Sequence, residues 1–175
     1  MKGLLNGETK TFMDHHDSLK SMKEQFAILP ELPIVGSLML ASRDGKTLSS
    51  INVVKKQKAS KQLNPLFEHC YQELNSFLDG NSKSIKIDLD LSQLTEFQMK
   101  VLKEMKKIPY GKVASYKDLA VAMKSKGYQA IGTACGNNPF MLIYPCHRVI
   151  GSKDLGGFAH GLEMKKKLLD LEGVL

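Results

Sequence analysis

The chain has few cysteines, and they lack the close paired spacing of a disulfide framework or a zinc knuckle. The three thiols belong to Cys70, Cys135 and Cys146. No apolar run is long enough to cross a bilayer, and residues 1–33 lack the apolar block and small-residue cleavage site of a signal peptide. We therefore expect reduced thiols, no membrane association, and a cytoplasmic protein, or a nuclear one in a eukaryote.

Acidic residues are outnumbered by basic ones, 18 against 25, which gives a net charge of +7 and an isoelectric point near 9.2. A positive field of this size attracts polyanions such as nucleic acid. The same lysines also fit a solvated surface, as in the run 165–167. Apolar residues make up 42% of the 175 positions, so the chain can bury the core of one domain or of two small ones.

The first 54 residues predict a short helix followed by a β-hairpin. Leu19, Met22 and Phe26 recur at helical spacing after Asp17, and two prolines at 30 and 33 end the pattern. Residues 34–42 and 47–54 read as strands on either side of an Asp-Gly turn. Two adjacent histidines at 15 and 16 make a poor metal site without a nearby cysteine, so no metal is expected.

A helix and a strand are predicted between residues 64 and 91. Asn64 is a helix cap followed by Pro65, and Gly80 ends the helical pattern. The apolar stripe of this helix comprises Leu66, Phe67, Cys70, Leu74, Phe77 and Leu78. Cys70 on this stripe is a core residue by position. Residues 85–91 alternate between apolar and charged, which is typical of a half-buried strand. Together these elements predict an α/β scaffold of sheet and helix.

The second half of the chain is mostly helical by pattern. Capping boxes at Thr95 and Ser115 each begin a helix, and a third helix runs from about Tyr128 to Cys135. The second and third helices are short and joined by a brief polar turn, which is the outline of a helix-turn-helix. The small residues of the third helix equally suit close helix packing. A further helical stripe covers residues 162–171.

One segment carries candidate chemistry. Apolar residues 142–144 lead into Pro145, which predicts a buried strand that ends there and presents Cys146 beside His147. Cysteine attacks as a thiolate, and a nearby imidazole promotes thiolate formation near neutral pH. Taken alone, the pair is a weak signal, and a buried cysteine next to a surface histidine is the more common explanation.

Motifs around this segment occur together in one known family. Residues 145–149, Pro-Cys-His-Arg-Val, are preceded by Asn138-Pro139 and followed by Gly-Gly-Phe at 156–158 and Leu-Glu-Gly at 171–173. Upstream stand Thr-Glu-Phe-Gln at 95–98, Ile-Pro-Tyr-Gly at 108–111 and Ser-Tyr-Lys-Asp-Leu-Ala at 115–120. From about residue 95 to 174 the chain closely resembles the O6-alkylguanine-DNA alkyltransferases. The resemblance implies an α/β fold: a ribonuclease H-like domain over residues 1–91, then a mostly helical domain with a helix-turn-helix over 92–175.

The resemblance implies DNA repair by direct reversal. Such a protein binds the minor groove of double-stranded DNA as a monomer and rotates the damaged guanine out of the stack. It then transfers the alkyl group from O6, and in some members from O4 of thymine, irreversibly to its own cysteine. No cofactor takes part. A thioether at Cys146 is a poor leaving group and no second thiol is evident nearby, so each molecule should react once.

Five residues match the family's reactive positions. Cys146 would be the nucleophile, His147 would polarise a water or take the thiol proton, and Glu172 would hold the histidine. Tyr116 would assist base rotation and donate a proton to the leaving guanine, while Asn138 would brace the turn that presents the cysteine. By pattern alone, Tyr116 is a core tyrosine and Glu172 a solvated charge at a helix end.

The remaining positions carried over from the family face DNA or line the pocket. On the DNA side they are Ser115, Gln129, Ala130, Gly132 and Thr133, and around the pocket they are Cys135, Val149, Phe158, Ala159 and His160. Gln129 stands where the family has an arginine that fills the gap left by the rotated base, which predicts weaker duplex binding. His160 replaces a smaller residue, which predicts a narrow pocket suited to methyl rather than benzyl groups. Arg148 is interpreted as structural, joining the two halves.

Two other kinds of function fit parts of the sequence. A non-catalytic protein that binds alkylation damage would share the fold, but it would not need the reactive Cys146. A cysteine hydrolase would use Cys146, His147 and Glu172, but it would also need an oxyanion hole and a path for water. The helix-turn-helix pattern and the basic charge favour the transferase.

Overall fold

A computed structural model of the chain describes residues 24–175, which begin with a three-stranded antiparallel sheet. Its strands are β1 (Gln25–Ile28), β2 (Leu38–Ser42) and β3 (Ser50–Val53), in the order β1-β2-β3. The predicted hairpin is confirmed as β2 and β3. Its turn is held by Asp44, whose Oδ1 accepts hydrogen bonds from the amides of Lys46 and Thr47 at 2.8 and 2.7 Å.

The helix predicted after Asp17 is wrong where it can be compared with the structure. Residues 1–23, including His15 and His16, lie outside the described residues, but Phe26 belongs to β1. This strand pairs with β2 from Gln25 opposite Ser42 to Ile28 opposite Met39. Three apolar residues at helical spacing are a weak pattern, and the free edge of β2 offers backbone partners that outweigh it.

Helix α1 (Pro65–Leu78) begins as predicted. The Asn64 side chain accepts a hydrogen bond from the amide of Phe67 at 2.8 Å, and Gly80 follows the helix with a φ of +75°. The buried face carries Phe67, Cys70, Leu74, Phe77 and Leu78. These side chains share one hydrophobic core with β2 and β3, so Cys70 is a core residue.

The strand predicted over residues 85–91 is wrong except at one point. Leu48 alone pairs with this segment, donating its amide to Asp88 O and accepting from the amide of Asp90, both at 2.8 Å. The predicted alternation holds from residue 85 to 89, because Ile85, Ile87 and Leu89 are half-buried while Lys86 and Asp88 are exposed. Period-two spacing reports which side chains face the core, but it does not supply a partner strand.

The remaining helices are α2 (Glu96–Lys106), α3 (Tyr116–Ala122), α4 (Tyr128–Gly136) and α5 (Leu162–Leu171). Both predicted capping boxes are present, at Thr95 with Gln98 and at Ser115 with Asp118. Helices α2, α3 and α4 pack against one another through their apolar faces. Within residues 24–175 no helix combines the length and apolarity that a bilayer crossing requires.

The strand predicted to lead into Pro145 is also wrong. Residues 140–149 are buried, but Met141 and Tyr144 bracket a tight turn in which Leu142 has a φ of +72°. A 3₁₀ turn, Cys146–Arg148, follows, and it leads into β5 (Val149–Ile150), which pairs in parallel with β4 (Ala114–Ser115). Cys146 therefore precedes a strand rather than ending one. Apolarity predicted the burial, but it carries no information on backbone direction.

Candidate active site

Cys146 is held at the start of the 3₁₀ turn by Asn138. The side-chain amide of Asn138 donates to Cys146 Sγ at 3.4 Å and to Tyr144 O at 2.7 Å. Its Oδ1 accepts from the amide of Phe140 at 3.0 Å. One buried side chain thus ties three points of the segment that presents the sulfur, which is the bracing geometry expected of it.

The sulfur is a protonated thiol at rest. Cys146 is 8% exposed, and this burial raises the pKa of its thiol because the thiolate loses hydration. The Asn138 hydrogen bond and the Lys165 ammonium act in the opposite direction without reversing the shift. A nucleophilic role therefore requires a base close to the sulfur.

Glu172 accepts hydrogen bonds from three neighbours inside the protein. His147 Nε2 lies 2.8 Å from Oε1, the guanidinium of Arg148 binds both carboxylate oxygens at 2.8–3.0 Å, and the amide of Gly111 lies 3.0 Å from Oε2. Burial alone would raise the pKa of this carboxyl, but the bonds from His147, Arg148 and Gly111 outweigh it, and the pKa lies below its usual value. Glu172 is ionised at neutral pH.

His147 is poised as a neutral base. It is fully buried, which lowers the pKa of its imidazole, although Glu172 acts against the shift. Because Nε2 faces a carboxylate, it carries the proton, and Nδ1 is left with a free lone pair. Nδ1 is buried and has no hydrogen-bond partner among residues 24–175. This nitrogen is free to accept a proton.

Distant parts of the chain position this charged cluster. Glu172 follows the last turn of α5, and the hydroxyl of Tyr110 donates to Leu171 O at 2.9 Å. Arg148 also donates to Ile108 O at 2.8 Å. Gly111 has a φ of +73°, and a Cβ there would come within 3.0 Å of Glu172 O. Only glycine allows this loop to approach the end of α5 so closely.

Cys146 opens into a cavity of about 150 Å³. The lining residues are Tyr116, Gly132, Cys135, Gly136, Cys146, Gly157, Phe158 and Ala159. Five of the predicted positions therefore face the sulfur across one space. Sequence reasoning missed Gly136 and Gly157 as lining residues, because glycine spacing suggested only turns and helix ends.

Tyr116 enters the cavity from the first turn of α3. Its hydroxyl donates to Gly157 O at 3.5 Å, which is a long bond that a ligand would readily replace. Burial makes the largest contribution to raising the pKa of the Tyr116 phenol, and the nearby Cys135 and Cys146 raise it further. The hydroxyl is therefore protonated and available as a donor.

The other predicted pocket residues lie near the cavity without lining it. The ring of His160 packs edge-on against that of Phe158, with ring centroids 5.4 Å apart. His160 is not among the residues that line the cavity, so the prediction that it narrows the pocket stays a prediction. Val149 is fully buried, and its carbonyl accepts a hydrogen bond from Lys165 at 2.6 Å.

Predicted DNA-facing residues lie on α3 and α4. Ser115 caps α3, with its hydroxyl 2.7 Å from Asp118 Oδ2, which leaves it a structural task independent of DNA. Gln129, Ala130 and Thr133 are exposed on α4, while Gly132 is half-buried at the cavity.

Lys165 is a site residue that the sequence did not suggest. Its ammonium is fully buried and donates to the carbonyls of Val149, Leu155 and Gly157. Burial lowers its pKa from 10.5 to about 8. The interpretation of the run 165–167 as a solvated face is wrong at this position. The signal was its place in the buried stripe of α5, three residues before Leu168.

A second thiol lies close to the first. Cys135 lines the same cavity as Cys146, so the expectation that no other thiol lies nearby is wrong. The two are eleven positions apart along the chain, and the end of α4 brings them together. Burial raises the pKa of Cys135 to about 12, which makes it a poor nucleophile.

Comparisons with known proteins converge on one family. A family model described as the DNA-binding domain of 6-O-methylguanine DNA methyltransferase matches residues 96–174. A methylated-DNA–protein-cysteine methyltransferase of Sulfurisphaera tokodaii is 40% identical over 111 residues, covering 63% of this chain and 70% of the relative. The same enzyme of Metallosphaera sedula is 36% identical over 141 residues, covering 80% and 88%. The crystal structure of Mycobacterium tuberculosis OGT in complex with DNA aligns with a TM-score of 0.72 and 31% identity, covering 85% of this chain and 91% of that one.

Proposed function

The chain belongs to the methylated-DNA–protein-cysteine methyltransferase family, and we propose that it repairs DNA by moving an alkyl group from guanine O6 to its own Cys146. The observation that carries this proposal is that Cys146 lines the cavity and is followed in the chain by His147, whose buried ring is hydrogen-bonded to Glu172. In this arrangement the protonated thiol is the nucleophile, the neutral imidazole is its base, and the ionised carboxylate orients the base.

The reaction is a single displacement. His147 Nδ1 accepts the thiol proton, directly or through a water, and the sulfur attacks the alkyl carbon. A C–S bond forms as the C–O6 bond breaks, and its electron pair leaves with guanine. The Tyr116 hydroxyl gives a proton to the departing base. The proton that His147 took from the thiol balances this loss when the phenol is protonated again. Glu172 favours the imidazolium that forms, because the carboxylate is already hydrogen-bonded to Nε2.

Each molecule reacts once in this scheme, without a cofactor. The product is a thioether at Cys146, and a thioether is too poor a leaving group to pass its alkyl group on. The neighbouring Cys135 does not change this, because a thiol with a pKa of about 12 provides almost no thiolate near neutral pH. Single turnover thus rests on the thioether itself rather than on the absence of a second thiol.

The proposal includes double-stranded DNA as the partner. Helix α3, residues 123–127 and α4 would form a helix-turn-helix in a C-terminal domain over 92–175, behind a ribonuclease H-like domain over 1–91. The exposed small residues Ala130 and Thr133 would let α4 approach the minor groove closely, with little sequence readout. Because Cys146 is buried, the target nucleotide would rotate out of the duplex to reach it. The protein would act as a monomer.

Mass spectrometry after incubation with a duplex containing O6-methylguanine tests this function. We expect one methyl group on the Cys146 peptide, an unmodified guanine in the DNA, and no transfer with Cys146→Ser. Binding without a mass change would favour a non-catalytic damage-binding protein. Neither binding nor modification would leave the cysteine hydrolase as the better description of the Cys146, His147 and Glu172 arrangement.

A further inference from the structure

One face of α4 points at the cavity. Gly132 and Gly136, four residues apart, line it together with Cys135. Residues four apart on a helix lie one above the other, so the same face continues back to Tyr128. Tyr128 is the first residue of α4 and stands one helical turn beyond Gly132. The cavity face therefore ends in a large aromatic side chain.

The ring of Tyr128 projects outward from this helix end. It is 51% exposed, whereas Ile131 and Ala134 of the same helix are buried. Side chains on a helix tilt toward its N-terminus, which carries the ring past the first turn. Among residues 24–175 neither an aromatic ring nor a cation packs against it. A Cβ added at Gly132 would meet no atom within 4 Å, so the helix surface is open at the position one turn from Tyr128 on this face.

A nucleotide that enters the cavity leaves a gap in the base stack. Proteins that open a duplex commonly insert a side chain between base steps, and aromatic rings stack on any base without reading its sequence. The neighbouring exposed side chains of α4 are less suited to this task. Gln129 offers only an amide for hydrogen bonding, and Ala130 and Thr133 are too short to cover a base.

We infer that Tyr128 stacks on the bases beside the gap and so stabilises the duplex with its target nucleotide rotated out. This inference rests on the proposed function, because the gap exists only if a base enters the cavity. Tyr128 acts here as a positioning residue, since it contacts the neighbouring bases and not the reacting atoms. Its hydroxyl plays no part, so a phenylalanine would serve as well.

Rates of methyl transfer to Tyr128→Ala and Tyr128→Phe test the inference on two substrates. With an O6-methylguanine duplex we expect Tyr128→Ala to react about tenfold more slowly and Tyr128→Phe to match the native protein. With a single-stranded oligonucleotide, which has no stack to open, all three should react alike. Phe26→Ala removes an equally exposed aromatic ring from β1 and should change neither rate. A native rate for Tyr128→Ala on the duplex, or an equal loss on both substrates, would overturn the inference.

Fluorescence gives a second test, because a purely structural role of Tyr128 would not make the emission of a reporter at this position depend on DNA. The chain has no tryptophan, so Tyr128→Trp introduces a single reporter at this position. We expect its emission to be quenched when the alkylated duplex is added, because the indole stacks on bases. Unchanged emission on a duplex that is bound and repaired would refute the stacking. If the native protein transfers no methyl group at all, the proposed function fails instead, and the two failures are distinct.

Discussion

The ionised carboxylate of Glu172 sets the protonation of the residues around the sulfur. It holds the Nε2 proton of His147, and so leaves Nδ1 as the only basic position of that ring. It also neutralises Arg148, whose guanidinium is almost completely buried. The same group therefore serves both the chemistry and the stability of the fold.

Glu172→Gln should damage both properties. The amide keeps the shape but leaves Arg148 as a buried charge without its partner, which should lower the free energy of unfolding by about 3–5 kcal/mol. Methyl transfer should slow by about a hundredfold or more, since His147 loses the group that stabilises its charged form. Urea unfolding and single-turnover rates measure the two effects. Glu163→Gln, on the exposed side of α5, should change neither.

Acid should lower the free energy of unfolding over two pH ranges. Burial lowers the folded-state pKa of His147 below 6.5, so the unfolded chain binds a proton first and stability falls as the pH drops through 6.5. The pKa of Glu172 also lies below its usual 4.5, so its contribution is present above 4.5 and is lost as the pH falls toward the folded-state value. Unfolding free energies measured from pH 8 to well below 4.5 follow both losses. In Glu172→Gln the loss below 4.5 should be smaller, and an unchanged profile would contradict the assignment.

Gln129 is the residue at which the chain departs most clearly from the family pattern. We expect Gln129→Arg to bind an alkylated duplex several-fold more tightly, because the added charge attracts phosphates and the longer side chain reaches further. Fluorescence anisotropy at a fixed salt concentration measures the change. Gln129→Lys serves as a control for charge alone. Binding no tighter than that of the native protein would count against a duplex-facing role for this position.

The segment 151–161 forms one wall of the cavity through Gly157, Phe158 and Ala159. Lys165 fastens this segment to α5 through Leu155 and Gly157, and Phe158 forms part of the cavity wall. The His160 ring packs edge-on against Phe158, so any effect of His160 on the cavity would pass through that ring. The narrow pocket expected from the sequence thus stays a prediction, but His160 would narrow it through Phe158 rather than by lining it.

The small cavity should favour methyl over benzyl adducts. The cavity of about 150 Å³ beside Cys146 has to hold the rotated base and its substituent, so a methyl group should fit more easily than a benzyl group, which would press on lining side chains such as Phe158. We expect rapid reaction with O6-methylguanine DNA and slow labelling by free O6-benzylguanine, followed by mass spectrometry. His160→Gly, which removes the ring packed against Phe158, should speed labelling by O6-benzylguanine and leave the reaction with O6-methylguanine DNA unchanged. Rapid benzyl labelling of the native protein would contradict the argument.

The chain as a whole carries a net charge of +7, which should dominate its first encounter with DNA. Neutralising about four phosphates would weaken duplex binding about a hundredfold between roughly 50 and 200 mM salt. Anisotropy titrations with undamaged duplexes of different sequence should give similar slopes and similar affinities, because α4 offers few long side chains to read bases. A salt-independent affinity or a strong preference for one sequence would contradict this prediction.

The parts of the fold that were predicted correctly depend on neighbouring residues. Asn64, Thr95 and Ser115 satisfy amides three positions away, so each helix start can be read from a few letters. The failed predictions all concern strands or their absence, at residues 25–28, 85–91 and 142–144. A strand needs a partner from elsewhere in the chain, and spacing along one segment does not contain that partner.

Local spacing was enough to predict the helix caps and the buried helix faces, and matched motifs singled out Cys146 as the candidate nucleophile. The burial of Lys165 among three carbonyls and the cavity that Cys135 shares with Cys146 became visible only in the folded chain, which also brings Glu172 to His147 across 25 positions, as the family resemblance implied. These contacts form where α4, α5 and the 3₁₀ turn pack together. Packing joins residues that no pattern along the chain relates to one another.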